Sequence, residues 1–249
     1  MGTGTSQGVP IIGCDCAVCH STDPRDKRLR PSVLVDAGGK NIVIDAGPDF
    51  RYQMLRAGVQ NVDAILLTHE HNDHVIGLDD VRPFNFKSWR DMPVYGSKRV
   101  LEEVRQRFAY IFADNKYPGA PMIALHEINK DEVFEVEGLQ IKPVEVMHGK
   151  MSVLGFRFGD FTYITDAKTI SDEEKEKVKN SKVLVLNALH HSPHHAHLNL
   201  RQALEWVEEL KPERAFFIHM SHHIGFHEAV NRQLPPNVAL AHDGLVIEI

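Results

Sequence analysis

Between residues 68 and 74 the chain reads Thr68-His69-Glu70-His71-Asn72-Asp73-His74, four nitrogen or oxygen ligands within six residues. This run follows the apolar stretch Asp63–Thr68 directly, so it lies where a strand ends and a loop turns toward a helix. On an extended segment residues i and i+2 face the same way, so His69 and His71 can share one cation. Asp73 and His74 follow the turn and can reach a second. Imidazole together with carboxylate suits Zn, Mn or Fe. A second ligand set is Cys14, Cys16 and Cys19, all three cysteines of the chain. An odd number at spacings of two and three is a poor disulfide framework and a good set of metal ligands. A third cluster, His190, His191, His194, His195 and His197, precedes Asn199.

The elements that must position these groups are legible as alternating strands and helices. Strands are expected over Ser32–Asp36, Asn41–Asp45, Asp63–Thr68, Leu139–Val146, Val153–Phe158, Phe161–Thr165, Lys182–Asn187, Arg214–His219 and Leu245–Ile249. Gly38-Gly39 and Gly159-Asp160 mark hairpin turns. Leu200, Ala203, Leu204, Val207 and Leu210 form one helical stripe, with Asn199 as N-cap and Gln202 three residues on. Ser171 and Glu174 open another helix, and Val100, Leu101, Val104 and Phe108 line a third. No linker interrupts the chain, so one domain over 1–249 is expected, with a metal-binding N-terminal loop over 14–19. Sheet layers covered by helices follow from the order of elements.

Composition bounds the rest. At 249 residues with 43% hydrophobic and 25% charged residues, the chain can bury a sizeable core, which excludes disorder and a disulfide-stapled miniprotein. A net charge of −6 argues against affinity built on a phosphate backbone, and so against a nucleic-acid partner. No apolar run long enough to span a membrane occurs, and no charged start with a long apolar stretch marks export, so a cytoplasmic location is expected. The start MGTGTSQ fits only the loose N-myristoylation pattern. Cys16-Ala-Val-Cys19-His20 matches a c-type haem attachment site formally, but that chemistry needs export.

The run H-x-H-x-D-H after an apolar strand resembles the signature of the metallo-β-lactamase superfamily. The resemblance implies an α/β fold, the four-layer αββα sandwich, with a metal site at one edge of two sheets. It also implies roles for residues that would be unremarkable singly. Asp45 in Val43-Ile44-Asp45 matches the strand-end carboxylate that orients the histidine loop. His148 matches the third ligand of the first metal, Asp166 the carboxylate bridging both, and His219 the ligand completing the second. Metal one then takes His69, His71, His148 and Asp166; metal two takes Asp73, His74, His219 and Asp166.

Gly2-Thr-Gly4 followed by Gly13-Cys14-Asp15-Cys16-Ala17-Val18-Cys19 resembles the start of the PhnP-like branch, phosphodiesterases of phosphoribosyl cyclic phosphate. There the three cysteines bind a structural zinc with a histidine three residues beyond the last catalytic ligand, which is His222 here; Cys3His is a closed structural site by type. The branch also has a histidine four residues before the helix-capping Asn that protonates the leaving group. Counted back from Asn199, this is His195. Relatives carry an apolar strand before the glycine turn, and here only Met1 precedes it: either that strand is absent or the sequence starts late, which leaves one sheet edge undecided and a homodimer in play.

The resemblance implies a binuclear metal-dependent hydrolase. Its expected substrate is a small or cyclic phosphodiester, attacked by a metal-bridging hydroxide on two divalent metals (Zn, Mn or Fe). Two alternatives remain. A tRNase Z-like nuclease needs a long Gly/Pro-rich arm, which the chain does not show. An accessory metalloprotein like the PQQ-biosynthesis relatives should have lost catalytic ligands, and all seven are present.

Overall fold

The computed structural model describes residues 1–249. Two twisted sheets stack face to face. The first contains β1 (Val33–Ala37), β2 (Lys40–Ile44), β3 (Ala64–Leu66), β4 (Met92–Gly96) and β5 (Ile123–Glu127), in that spatial order. The second contains β6 (Phe134–Val136), β7 (Leu139–His148), β8 (Met151–Phe158), β9 (Phe161–Tyr163), β10 (Val183–Asn187), β11 (Arg214–Ile218) and β12 (Val238–Leu240), ordered from β12 down to β6. Gly38-Gly39 closes the β1–β2 hairpin and Gly159-Asp160 the β8–β9 hairpin. From β2 to β5, and from β9 to β12, pairing is parallel.

Helices cover both outer faces. On the first sheet lie α1 (Phe50–Arg56), α2 (Asn72–Val75), α3 (Arg82–Ser88) and α4 (Lys98–Arg107); on the second lie α5 (Asp172–Val178), α6 (Leu200–Leu210) and α7 (His227–Asn231). Strand alternation builds three apolar seams. Ile42, Ile44 and Leu66 meet Phe156, Val183 and Val185 between the sheets. Val43, Ile65 and Val94 pack under Phe50, Val100 and Val104. Leu184, Leu186 and Phe217 pack under Ala203, Val207 and Leu210. This is the four-layer αββα sandwich. Because the central strands are covered on both faces, β3 and β10 read as unbroken apolar runs rather than alternating ones.

The α6 start forms as its sequence requires: Asn199 accepts the Gln202 N–H (2.9 Å) while the Gln202 side chain accepts the Asn199 N–H (3.3 Å). Ser171 likewise caps α5 through the Glu174 N–H. One expected strand is absent. Leu245–Ile249 joins no ladder; Leu245 and Ile247 instead press against the inter-sheet core from an irregular segment. The N-terminal segment stitches across the molecule by isolated bridges, Gly2 to Ser32 and Gly4 to Met220. At Gly2 a Cβ would stand 1.9 Å from the Arg30 carbonyl oxygen, so only glycine fits there. No helix is long and apolar enough to cross a membrane.

Candidate metal centre

Every ligand-bearing segment leaves the same edge of the sandwich, at the carboxyl ends of β2, β3, β7, β9, β10 and β11. Asp45 follows β2, Asp166 follows β9 and His219 follows β11, and all three adopt left-handed φ values of 63°, 55° and 55°. Non-glycine residues hold that conformation only where surroundings enforce it, and such strain gathers at functional sites. Beside Asp45 the backbones pack closely. A Cβ on Gly47 would lie 2.0 Å from the Asp73 carbonyl oxygen, and one on Gly77 2.0 Å from that of Gly47, so the histidine loop rests directly on the chain leaving β2.

Asp45 is wholly buried and organises the loop. It accepts the Thr68 N–H (2.9 Å) and the Thr68 hydroxyl (2.9 Å to Oδ2), and its Oδ2 lies 2.6 Å from His74 Nδ1. That contact fixes the ring so that His74 Nε2 faces inward. Thr68 Oγ1 meets His69 Nδ1 at 3.0 Å with the same effect on His69. His148 Nδ1–H donates to the Ala196 carbonyl at 2.9 Å, which turns its Nε2 inward as well.

These inward atoms converge on Asp166. Its Oδ1 lies 3.2 Å from His219 Nε2, 3.8 Å from His197 Nδ1 and 4.0 Å from His69 Nε2; its Oδ2 lies 3.4 Å from His74 Nε2. Asp73 Oδ2 stands 3.2 Å from His74 Nε2 and 3.8 Å from His219 Nε2. Donor atoms within 4.8 Å of one another form three sets: His69, His74 and Asp166; Asp73, His74 and His219; His148, Asp166 and His197. His71 lies outside these sets, exposed at the mouth, with ring centroids 4.6 Å from His69 and 5.3 Å from His148.

His69 Nε2, His74 Nε2, His197 Nδ1 and both ring nitrogens of His219 are buried without a hydrogen-bond partner. Orphaned buried imidazole nitrogens around two carboxylates are costly unless a cation occupies the space between them. The donor set therefore fits divalent metal. The electrostatics agree. Burial opposes charge on His74 and His219, yet the Asp45, Asp166 and Asp73 carboxylates prevail, raising His74 well above its ordinary value and His219 to about 9. Burial also opposes charge on Asp166, but His219 and His74 pull its pKa well below the carboxylate range. Burial, with His74 beside it, pushes His69 well down.

The third histidine cluster resolves into distinct positions. His195 is exposed, its ring 4.4 Å from that of His194 and outside the donor sets. The residue turned inward is His197, only 9% exposed, stacked on His219 at 4.8 Å and 4.5 Å from His148. The turn has a local cause: His194 Nδ1 accepts the N–H groups of both Ala196 and His197 at 3.2 Å, wrapping the loop around that imidazole. Supporting residues that sequence reasoning passed over are Thr68 and Asn187, whose amide grips the Ala167 backbone at 2.7 and 3.1 Å and so seats Asp166. Both stand at a strand end beside a site residue, a signal visible in the sequence.

At the other end of the same segment, the Sγ atoms of Cys14, Cys16 and Cys19 lie 3.3, 3.3 and 3.5 Å from His222 Nδ1. A tetrahedral zinc with Zn–S of about 2.3 Å and Zn–N of about 2.0 Å places S and N about 3.5 Å apart, so the set fits one zinc. All three thiols are free of disulfides. Backbone N–H groups of Ile11 and Cys19 donate to Cys19 and Cys16 sulfur, an arrangement that supports thiolates. The wholly buried Arg28 adds a second tie, donating to the Ser221 and Gly225 carbonyls at 3.2 Å.

Comparison with known proteins matches this architecture. The model of the Beta-lactamase superfamily domain fits residues 40–220. A crystal structure of a diphosphatase from the PhnP family superposes with a TM-score of 0.93 at 43% identity, covering 100% of this chain and 95% of that one. An octanoyltransferase of Porphyromonas gingivalis (strain ATCC BAA-308 / W83) is 42% identical over 248 residues, 98% of this chain and 50% of that protein. A ribonuclease Z of Bradyrhizobium sp. (strain ORS 278) is 32% identical over 139 residues, 54% of this chain and 46% of that protein. The chain thus spans about half the length of these curated relatives. With the sandwich, the carboxylate-centred imidazole cluster and the Cys3His set in place, the chain belongs to the beta-lactamase superfamily, in its metallo-β-lactamase form and PhnP-like branch.

Proposed function

We propose that this chain is a metal-dependent hydrolase that cleaves a P–O bond in a small phosphodiester. The observation carrying this reading is Asp166, whose two oxygens lie within 4.0 Å of the inward nitrogens of His69, His74, His197 and His219. His69, His71, His148 and Asp166 would hold one cation, and Asp73, His74, His219 and Asp166 a second. Bound there, a divalent pair supplies Lewis acidity that activates water and neutralises phosphoryl oxygens.

The chain's own residues do the rest. Asp45 and Thr68 hold His74 and His69 in the required tautomers. Asn187 seats Asp166. His197 faces the cluster and belongs to neither of these ligand sets, so it takes the role expected of His195: burial and the neighbouring His219 push its pKa down to about 2, and it protonates a departing alkoxide only where the anionic phosphodiester beside it favours the imidazolium. His194 fixes its backbone.

The PhnP-family neighbour, a diphosphatase, favours a second substrate class. Each phosphorus of a disubstituted diphosphate is a monoanionic centre carrying two ester-like oxygens, the same centre that a phosphodiester offers. One panel separates the readings. Mn- or Zn-loaded protein is assayed on bis(p-nitrophenyl) phosphate, a 2′,3′-cyclic nucleotide, phosphoribosyl cyclic phosphate, a disubstituted diphosphate, pre-tRNA and a lactone. Turnover of a small diester is expected. Turnover of pre-tRNA alone assigns a nuclease, and silence across the panel leaves the accessory role.

A further inference from the structure

Two expected ligands of the first cation come from different sheets. His71 belongs to the loop after β3, and His148 ends β7. Their ring centroids are 5.3 Å apart, and neither side chain is fully buried. At the base of this gap the sheets are joined by a backbone bond, Leu154 N–H to the Thr68 carbonyl at 3.0 Å. Nearer the solvent, one side chain spans it. Arg99, in the first turn of α4, pairs through Nη1 with Glu70 Oε1 and donates through Nη2 to the Ser152 carbonyl. Glu70 stands between His69 and His71. Ser152 lies opposite Met147, the residue before His148, in the β7–β8 register. One planar guanidinium therefore grips the histidine loop and the strand paired with the one that ends in His148, a geometry that its rigid fork allows and an ammonium cannot reproduce. Glu70 is only 13% exposed and its Oε2 is buried without a partner, so the carboxylate is held for its contact with Arg99 rather than for solvation.

We propose that Arg99 is a positioning residue that sets the separation of His71 from His148 across the two sheets, and with it the affinity for the first cation. This rests on the ligand set proposed above. The sign of the effect distinguishes it from electrostatics. A guanidinium near a dication site repels the cation, and removing it also frees the Glu70 charge. Charge alone thus predicts tighter binding without Arg99, whereas positioning predicts weaker binding.

The test is calorimetric titration of Mn²⁺ into protein stripped of exchangeable metal but retaining the Cys-bound zinc. Wild type, Arg99→Met, Arg99→Lys and His148→Ala are compared. Wild type is expected to take two equivalents and His148→Ala to lose one. Arg99→Met should weaken one of the two sites about 10–100-fold, the usual effect of removing a group that orients a ligand. Arg99→Lys keeps the charge but grips one acceptor, and should fall between, which carries the test if Arg99→Met does not fold. The Arg99 side chain is 43% exposed, so the stripped variants should melt like stripped wild type. If His148→Ala keeps both equivalents, the ligand set fails and the proposal with it. If His148→Ala loses one but the Arg99 variants bind as tightly as wild type or tighter, the role of Arg99 alone is overturned. Loss of melting temperature in proportion to loss of affinity would also overturn it, by marking a general structural role.

Discussion

At the residue scale the proposed chemistry rests on Asp166 and His197. His197 is buried against His219 while His195 points outward. A proton donor matters for an alkoxide leaving group and little for p-nitrophenolate. His197→Ala should therefore lose about 10²–10⁴-fold in kcat on a cyclic nucleotide, far less on bis(p-nitrophenyl) phosphate, with metal content unchanged. His195→Ala should lose little on either; the reverse pattern would return the role to His195. A second consequence concerns protons. His219 is held at about 9 by Asp166 and Asp73 against burial, so without cation it is protonated at neutral pH. Cations bind the neutral imidazole, so loading must expel that proton. Apparent affinity should rise as pH rises toward about 9. Calorimetry at pH 7 in buffers of different ionisation enthalpy should show net proton release; heats independent of buffer would contradict this.

At the element scale, what the sequence disclosed depended on periodicity. The capping box of α6, both hairpins and the strand-end carboxylates were legible because turn and cap residues have fixed offsets. Four strands were not. β4 holds a proline, Met92-Pro93-Val94-Tyr95-Gly96; β5, Ile123–Glu127, ends on charged positions; β6 and β12 have three residues each, too short for alternation to register. Leu245 and Ile247 alternate like a strand but find no neighbour to pair with. The histidine loop before α6 has no period at all, and its inward residue is set by one imidazole, His194, accepting two N–H groups. Counting four back from Asn199 gives the exposed His195, two residues beyond the inward-facing His197. The cysteine loop acts at this scale too. Cys16→Ser should weaken the zinc on Cys14, Cys19 and His222. A hundredfold weaker site costs about 2.7 kcal/mol at saturating zinc, and a fall of roughly 5–11 °C in Tm follows for a chain of this size. A variant that melts like wild type with a full zinc complement would remove the structural role.

Across the whole molecule, both metal sets depend on one stretch of chain. His219 leaves β11 into the carboxylate cluster, and His222, three residues on, meets the cysteines of the N-terminal loop. Gly4 bridges to Met220 and Arg28 donates to Ser221, so the N-terminal segment braces the catalytic edge from behind. The sandwich brings six strand ends to one edge, and glycine contacts at Gly47 and Gly77 let two of the loops leaving them touch. The central claim is that this edge binds two exchangeable divalent cations around Asp166 and hydrolyses a phosphodiester with them. The most direct test is turnover of bis(p-nitrophenyl) phosphate by protein that retains its Cys-bound zinc, measured against equivalents of Mn²⁺ added. Activity should be absent at zero, rise with loading and reach its plateau at two equivalents. A plateau at one equivalent would contradict the paired site, and no turnover at any loading would contradict the hydrolase.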